Sequence, residues 1–416
     1  MVLLLKITMF AIKRELKLNN KEASRLAGCA GYSRFVYNYG LAMMKDSWSF
    51  EGVKASDAKR LGAIKKVFNN ETKKRSEFAW CNAYSSRIYQ NAFRDLASAF
   101  SRWRNASLKA EMPTFKRKRH ECSFTVDSSS GAVLVQAGKS IKVPTLGTFR
   151  LKEAVPFNCI SQTFTVSRKA GKWYVSFMVK ACPLPAMKHT EKETGIDLGV
   201  KTFATLASGE SIDSPASLKQ AKAKLRRTQW KNRNKVQGNR KLKQRASNNA
   251  HRYYQQLRKQ HKHIANIRED FLQKLTTRLG QTYQRIAIED LNVRGMMANH
   301  KLADAIGNLG FYRFREMLTY KQPFHGFELT VVDRWFPSSK MDSRCGHIQS
   351  MPLKERVYCC GGCGHTIDRD HNAAINILNW PNVPTLPMAI GIRTTVERVA
   401  PTPRREAVIE QLNLFV

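Results

Sequence analysis

Acid is what this chain is short of. Only 32 of its 416 residues are Asp or Glu, against 71 Lys or Arg, and the formal net charge is +39. That imbalance excludes a surface that neutralises itself and points to a polyanionic partner. Long apolar runs are also missing. The opening "MVLLLKITMF" is interrupted by Lys6 and has no basic segment before it, so it reads as a strand rather than a signal peptide. No stretch approaches the ~20 apolar residues of a membrane helix, and no membrane partner is expected. A repeat of fixed period is absent as well. Five of the nine cysteines stand singly, at Cys29, Cys81, Cys122, Cys159 and Cys182, which excludes a disulfide scaffold and suits a reducing cytoplasm.

What is present suffices for a multidomain α+β protein. Hydrophobic residues make up 42% and aromatics 10%, enough to bury real cores in two or three domains. Residues 1–18 read as a strand or hairpin, and a helical pattern runs from there to about residue 110, with Asn20 as cap. In "SSRIYQNAFRDLASAFSRW", Ile88, Phe93, Leu96 and Phe100 share one helix face. Pro113 then introduces the basic run Lys116, Arg117, Lys118 and Arg119. Short β-type runs follow to residue 182, with a hairpin turn expected at Gly171-Lys172, and the region reads as a small barrel or sandwich.

Three carboxylates stand on three apolar-backed elements. In "TGIDLGVKTFATLASG", Asp197 alternates away from Ile196 and Leu198 and is flanked by Gly195 and Gly199, which leave room for a close approach. "QRIAIEDLNVRG" sets Glu289 opposite Ile286 and Ile288, and "TIDRDHNAAINIL" sets Asp370 just before a helical pattern. Asp290 and Asp368 are their nearest competitors. Carboxylates converging in a strongly basic protein suit a pair of Mg²⁺ ions (or Mn²⁺) that hydrolyse a phosphodiester without a covalent intermediate.

Between the first two of these elements lies a segment with no acid at all. From Ser217 to Lys262 there are 16 Lys or Arg, among them Arg226, Arg227, Lys231, Arg233 and Arg240, and a run that cannot balance itself is expected on phosphates. Leu257, Ile264, Phe271, Leu275 and Leu279 place the later part on an amphipathic helix.

The other four cysteines cluster. Cys345, Cys360 and Cys363 form most of a zinc ribbon, two knuckles around a short hairpin, but Asp342 stands where a fourth thiolate belongs. An aspartate oxygen can bind zinc, and Asp342 is the first candidate; Cys359, His347 and His365 are the others.

Taken in order, "GIDLGVKTFATLASG", "IAIEDLN", "RWFPSSK…SRCGH" and "CGGCGHTIDRDHNAAINI" resemble the transposon-associated TnpB family, compact RNA-guided DNA nucleases related to type V CRISPR effectors. The motifs cover about residues 190–380, with a looser match upstream. The resemblance implies a RuvC-like, RNase H-type nuclease with Asp197, Glu289 and Asp370 as its catalytic, magnesium-holding carboxylates. It settles the third position on Asp370 rather than Asp368.

The same resemblance implies a β-barrel wedge domain from residues 1–18 plus 113–185, with a helical recognition domain at 19–112. The nuclease domain would take 190–335 plus 366–380, with a zinc ribbon inserted at 336–365; the Pro-rich tail at 381–416 lies outside the resemblance and is expected to be flexible. A guide RNA and a double-stranded DNA target are the implied partners, one chain per guide, in a prokaryotic cytoplasm beside the nucleoid. Gln90, Asn91 and Thr125 are candidates for reading a short motif next to the target. The rival readings are an inactive RNA-guided DNA-binding regulator and a guide-independent transposase or structure-selective nuclease. The departure from the family is Asp342 in place of the ribbon's first cysteine.

Overall fold

The computed structural model describes residues 8–48, 56–118, 121–127, 133–135, 138–143, 146–155, 163–181, 188–238, 244–298, 300–352 and 355–380. Arg119, Arg240 and the whole 381–416 segment lie outside the described residues. The chain divides into two compact units, Met1–Cys182 and Pro183–Val416.

The first unit runs β1 (Thr8–Lys17), α1 (Asn20–Trp48), α2 (Asp57–Asn70), α3 (Ser86–Arg104), β2 (Cys122–Asp127), β3 (Val133–Val135), β4 (Ser140–Val143), β5 (Gly147–Leu151), β6 (Thr163–Lys169) and β7 (Lys172–Ala181). Helix α1 starts one residue earlier than its sequence suggests. The cap is Asn19, whose Oδ1 accepts the Glu22 N–H at 2.8 Å while Glu22 accepts the Asn19 N–H at 2.9 Å, a reciprocal capping box. The predicted stripe of α3 is buried as expected, Ile88, Phe93, Leu96 and Phe100 all being 3% exposed or less.

The strands form one antiparallel sheet in the order β2-β6-β7-β1-β5-β4-β3. Its end strands β2 and β3 are not paired with each other among the described residues, so the expected barrel stands here as a seven-stranded sheet. The β6–β7 turn is Ala170-Gly171, again one residue earlier than predicted. Both residues have positive φ (48° and 86°), the backbone a two-residue hairpin needs to match strand twist.

The second unit runs β8 (Glu191–Asp197), β9 (Ala204–Leu206), β10 (Ser211–Ile212), α4 (Ala216–Lys231), α5 (Asn248–Thr282), β11 (Tyr283–Glu289), α6 (Val293–Ala298), α7 (His300–Leu309), α8 (Phe311–His325), β12 (Glu328–Val332), β13 (Val357–Cys359), β14 (Thr366–Asp368) and α9 (Arg369–Asn379). A five-stranded sheet has the order β10-β9-β8-β11-β12, with β8, β11 and β12 parallel and the β8-β9-β10 meander antiparallel. β13 and β14 make a separate two-stranded ribbon.

Strand β11 is covered on both faces. Ile286 and Ile288 pack with Leu272, Leu275 and Phe314 of α5 and α8, while Ala287 packs with Ile377 of α9. Alternation along the strand therefore assigns α9 to the face opposite α5 and α8. No described helix is long and apolar enough to cross a membrane.

Candidate active site and metal centre

Alternation also decides where the carboxylates point. Gly195 pairs with Ala287 across β8 and β11, so both lie on the α9 face. Asp197 and Glu289 are each two residues further along, on that same face and at the ends of their strands. Gly195 lets the helix come close: a Cβ there would lie 2.1 Å from the Ala374 carbonyl oxygen and 2.5 Å from the Leu378 nitrogen. Asp370 occupies the first turn of α9.

Asp197 senses the other two. Burial pushes the Asp197 carboxyl up to about 7, and the negative charges of Asp370 and Glu289 add to the shift. Glu289 is likewise pushed up to about 7, by burial and then by Asp290. Carboxylates that resist ionisation in this way gain most from a cation. Half-buried oxygen donors on two strands and a helix suit Mg²⁺, which needs few protein ligands.

Both competitors have other work. Asp290, just past β11, makes an ion pair with Arg334 at 2.5 Å and a second with Arg315. Those partners hold its carboxyl below the ordinary value against the opposing effect of burial. Asp368 is the N-cap of α9, its Oδ1 accepting the Asp370 and His371 N–H groups at 3.0 Å. Asp370 itself pairs with Arg369 at 3.1 Å and with Arg356 at 3.3 Å.

The ribbon is two knuckles of one design. Asp342 N–H donates to His347 O at 2.8 Å and Cys360 N–H to His365 O at 2.8 Å; Gly346 and Gly364 donate back to Asp342 O and Cys360 O at 3.0 and 2.9 Å. Both glycines have positive φ, 75° and 69°. In the first knuckle an oxygen replaces sulfur: Asp342 Oδ1 accepts the Arg344 and Cys345 N–H groups at 3.0 and 2.9 Å, and His365 Nδ1 lies 3.0 Å from Oδ2. Asp342 is 1% exposed. Burial alone would raise its pKa, but the Cys345 N–H and the His365 ring hold the carboxyl below its ordinary value.

Metal-ligating atoms of Asp342, Cys345, Cys360 and Cys363 all lie within 4.8 Å of one another. Cys345 and Cys360 Sγ are 3.5 Å apart, and Cys363 Sγ is 3.7 Å from Asp342 Oδ1. A tetrahedral ion with ligands at about 2.0–2.3 Å has edges of about 3.3–3.8 Å, so the donor set fits zinc. Of the other candidates, His365 engages Asp342, and Cys359 accepts from Thr366 Oγ1 at 3.6 Å outside the cluster.

Two residues missed at the level of sequence connect these sites. Asn372 and Asn376 of α9 are buried, and their amides donate to Met341 O at 2.6 and 2.7 Å; Asn376 also reaches Ser338 O at 2.8 Å, and Asn372 Oδ1 accepts the Ser343 N–H at 2.9 Å. The helix carrying Asp370 thus grips the knuckle carrying Asp342. A pair of amides one turn apart inside a helix, where amides are poor formers, was the available signal.

The candidate nucleic-acid contacts are distributed over both units. Asn91 is 3% exposed, and both its amide hydrogens are engaged, by Arg87 O at 2.8 Å and Asp127 Oδ1 at 2.9 Å. None remains to donate to a base, because Asn91 fastens α3 to β2. Gln90 is half-buried, and Thr125 Oγ1 lies 3.2 Å from Thr165 Oγ1 on the neighbouring strand. Lys116, Arg117 and Lys118 are all exposed, and Lys116 lies over the Tyr37 ring at 3.8 Å. On α4, Arg227 and Lys231 are exposed and Arg226 pairs with Asp304 at 3.0 Å. Just beyond the helix, Arg233 covers the Trp230 ring at 4.6 Å.

A family described as "Probable transposase" matches residues 176–300, and one described as "Cas12f1-like, TNB domain" matches 311–377. A "Helix-turn-helix domain" family matches 9–52, although the described part of that span is β1 followed by one uninterrupted helix. A mimivirus protein named TnpB-like is 28% identical over 55% of this chain and 45% of its own length. A Streptomyces pristinaespiralis protein, provisionally named an RNA-guided DNA endonuclease, is 34% identical over 88% of this chain and 88% of its own length.

This chain belongs to the TnpB family. An Escherichia coli relative with the same provisional name is 28% identical over 88% of this TnpB chain and 91% of its own length. Among solved structures, a Cas12f1–guide RNA–target DNA complex aligns with TM-score 0.46 and 11% identity, over 89% of this chain and 98% of that one.

Proposed function

We propose that this TnpB protein is a transposon-encoded, guide-RNA-directed DNA endonuclease. The reading is carried by one observation: Asp197 and Glu289 emerge on the same face of parallel strands β8 and β11, toward the helix that bears Asp370. An antiparallel meander β8-β9-β10 continued by parallel β11 and β12 supports assignment to the RNase H-like class with a RuvC-type site. The relatives named as RNA-guided DNA endonucleases support the substrate class.

When bound, two Mg²⁺ ions would supply an activated water and charge stabilisation for the leaving oxygen of a phosphodiester. Asp197, Glu289 and Asp370 would hold them; Arg356 and Arg369 hold the Asp370 carboxylate in place. Asp342, Cys345, Cys360 and Cys363 would hold a structural zinc, which would cross-link the two knuckles, while Asn372 and Asn376 hold the ribbon on α9. The exposed cations Arg117, Lys118, Arg227 and Lys231 contact RNA and heteroduplex backbones by charge rather than sequence. The proposed layout assigns residues 1–18 plus 113–185 to a wedge and 19–112 to recognition of the target-adjacent motif, with the nuclease domain and its ribbon at 190–380.

Sequencing of RNA that copurifies with the chain, followed by incubation with a matching plasmid and Mg²⁺, tests the proposal. Specific RNA and guide-dependent cutting are expected. Cutting that persists after the RNA is stripped away refutes the guided mechanism.

A further inference from the structure

Trp335 is 82% exposed, more than any other large hydrophobic side chain among the described residues. The other tryptophans with exposed faces have partners. Trp230 lies under the Arg233 guanidinium at 4.6 Å, Trp103 under Arg104 at 4.3 Å, and Trp80 packs on Tyr32, Phe35 and Tyr84. Among the described residues no ring or cation covers Trp335.

Its exposure is enforced by the loop that carries it. Asp333 Oδ1 accepts the Trp335 N–H at 2.8 Å, and Asp333 O accepts the Phe336 N–H at 3.1 Å. On one side of the indole, Arg334 is anchored to Asp290 at 2.5 Å; on the other, Phe336 packs against Ala287, Val332 and Ile377. With both neighbours pinned, the indole has no route into the core. The loop thus holds the indole out in solvent, where its face is open to stacking.

The loop also lies beside the carboxylates. Val332 is the register partner of Glu289, and Trp335 is three residues beyond it, at most about 11 Å of chain. Asp290, next to Glu289, carries two guanidiniums, Arg315 and Arg334, so cations stand close to the ring, with Asp290 and Asp333 balancing their charge. A π-face next to cations is how single-stranded nucleic acid is held without regard to sequence. Base-paired DNA keeps its faces within the stack, and the ring would therefore select an unpaired base.

We propose that Trp335 is a stacking platform for an unpaired base of the DNA strand entering the carboxylate site, a role that rests on the nuclease reading above. The test uses the full chain with its copurified RNA in EDTA, where nothing is cut, and a single-stranded oligodeoxynucleotide unrelated to the guide. Wild-type tryptophan emission is expected to quench on titration, with the Trp335 component missing from Trp335→Phe. Trp335→Ala should bind about tenfold more weakly, with Trp335→Phe close to wild type. With Mg²⁺, Trp335→Ala should raise KM more than it lowers kcat, while its melting temperature is unchanged. Equal affinity of Trp335→Ala and wild type, absence of wild-type binding, or the same loss seen with RNA but not with DNA would each overturn the proposal. Because binding is read without cleavage, failure of the catalytic assignment and failure of the platform give different results.

Discussion

Gly195 lies against Ala374 so closely that a single added carbon would sit 2.1 Å from the Ala374 carbonyl oxygen. The contact sets the height of α9 above β8, and hence the position of Asp370 relative to Asp197. Gly195→Ala is expected to cost about 1–3 kcal/mol of stability, since backbone rather than a flexible side chain must move. Cleavage should fall by about 100-fold although every carboxylate is intact, as expected for misplacement of a reacting group by about 1 Å. Wild-type cleavage by Gly195→Ala would show that this packing does not place Asp370.

The amide clasp gives a second prediction. Asn376→Leu leaves the Ser338 carbonyl without its amide donor and takes one donor from Met341, and should cost about 2–4 kcal/mol. Hydrogen exchange should accelerate in the Met341–Cys345 knuckle as well as in α9. Exchange confined to α9 would mean that ribbon and helix are not mechanically joined.

Metal-free protein should show a particular pH dependence. Asp197 and Glu289 have folded values near 7, above their ordinary 3.8 and 4.5. Between those limits the folded state binds protons that the unfolded state has released, so stability falls as pH rises from about 4 to 7 and stays low above. Asp197→Asn should flatten that slope and melt roughly 3–8 °C above wild type at pH 7.5 in EDTA. Superimposable melting curves for the two proteins across this range would contradict the shift.

Zinc content tests the oxygen ligand. Wild type is expected to hold one zinc per chain, with Asp342→Cys binding it more tightly and Asp342→Ala losing it. His365→Ala, which removes the partner of Asp342 Oδ2, should weaken binding by about 10–100-fold. A wild type without zinc that regains it on Asp342→Cys would show a decayed site.

Local patterns were legible in the sequence and distant partners were not. Ile88, Phe93, Leu96 and Phe100 announced the buried face of α3 because helical periodicity is written in the chain. Strand alternation likewise set Asp197 and Glu289 opposite their isoleucines. The residues alone left Asp368 standing as a competitor of Asp370, however, because its capping role in α9 is visible only in three dimensions. Asn91 stood as a candidate base reader because Asp127, which engages its amide, lies 36 residues away. Asn372 and Asn376 escaped notice for the same reason: their acceptors belong to a knuckle about 30 residues earlier.

Cleavage of a guide-matched plasmid by Asp197→Ala tests the central assignment most directly. With RNA and target binding measured in parallel, the variant should bind as wild type does and cut at least about 1000-fold more slowly in Mg²⁺. An Asp197→Ala protein that binds the target and cuts it at the wild-type rate would place the chemistry elsewhere.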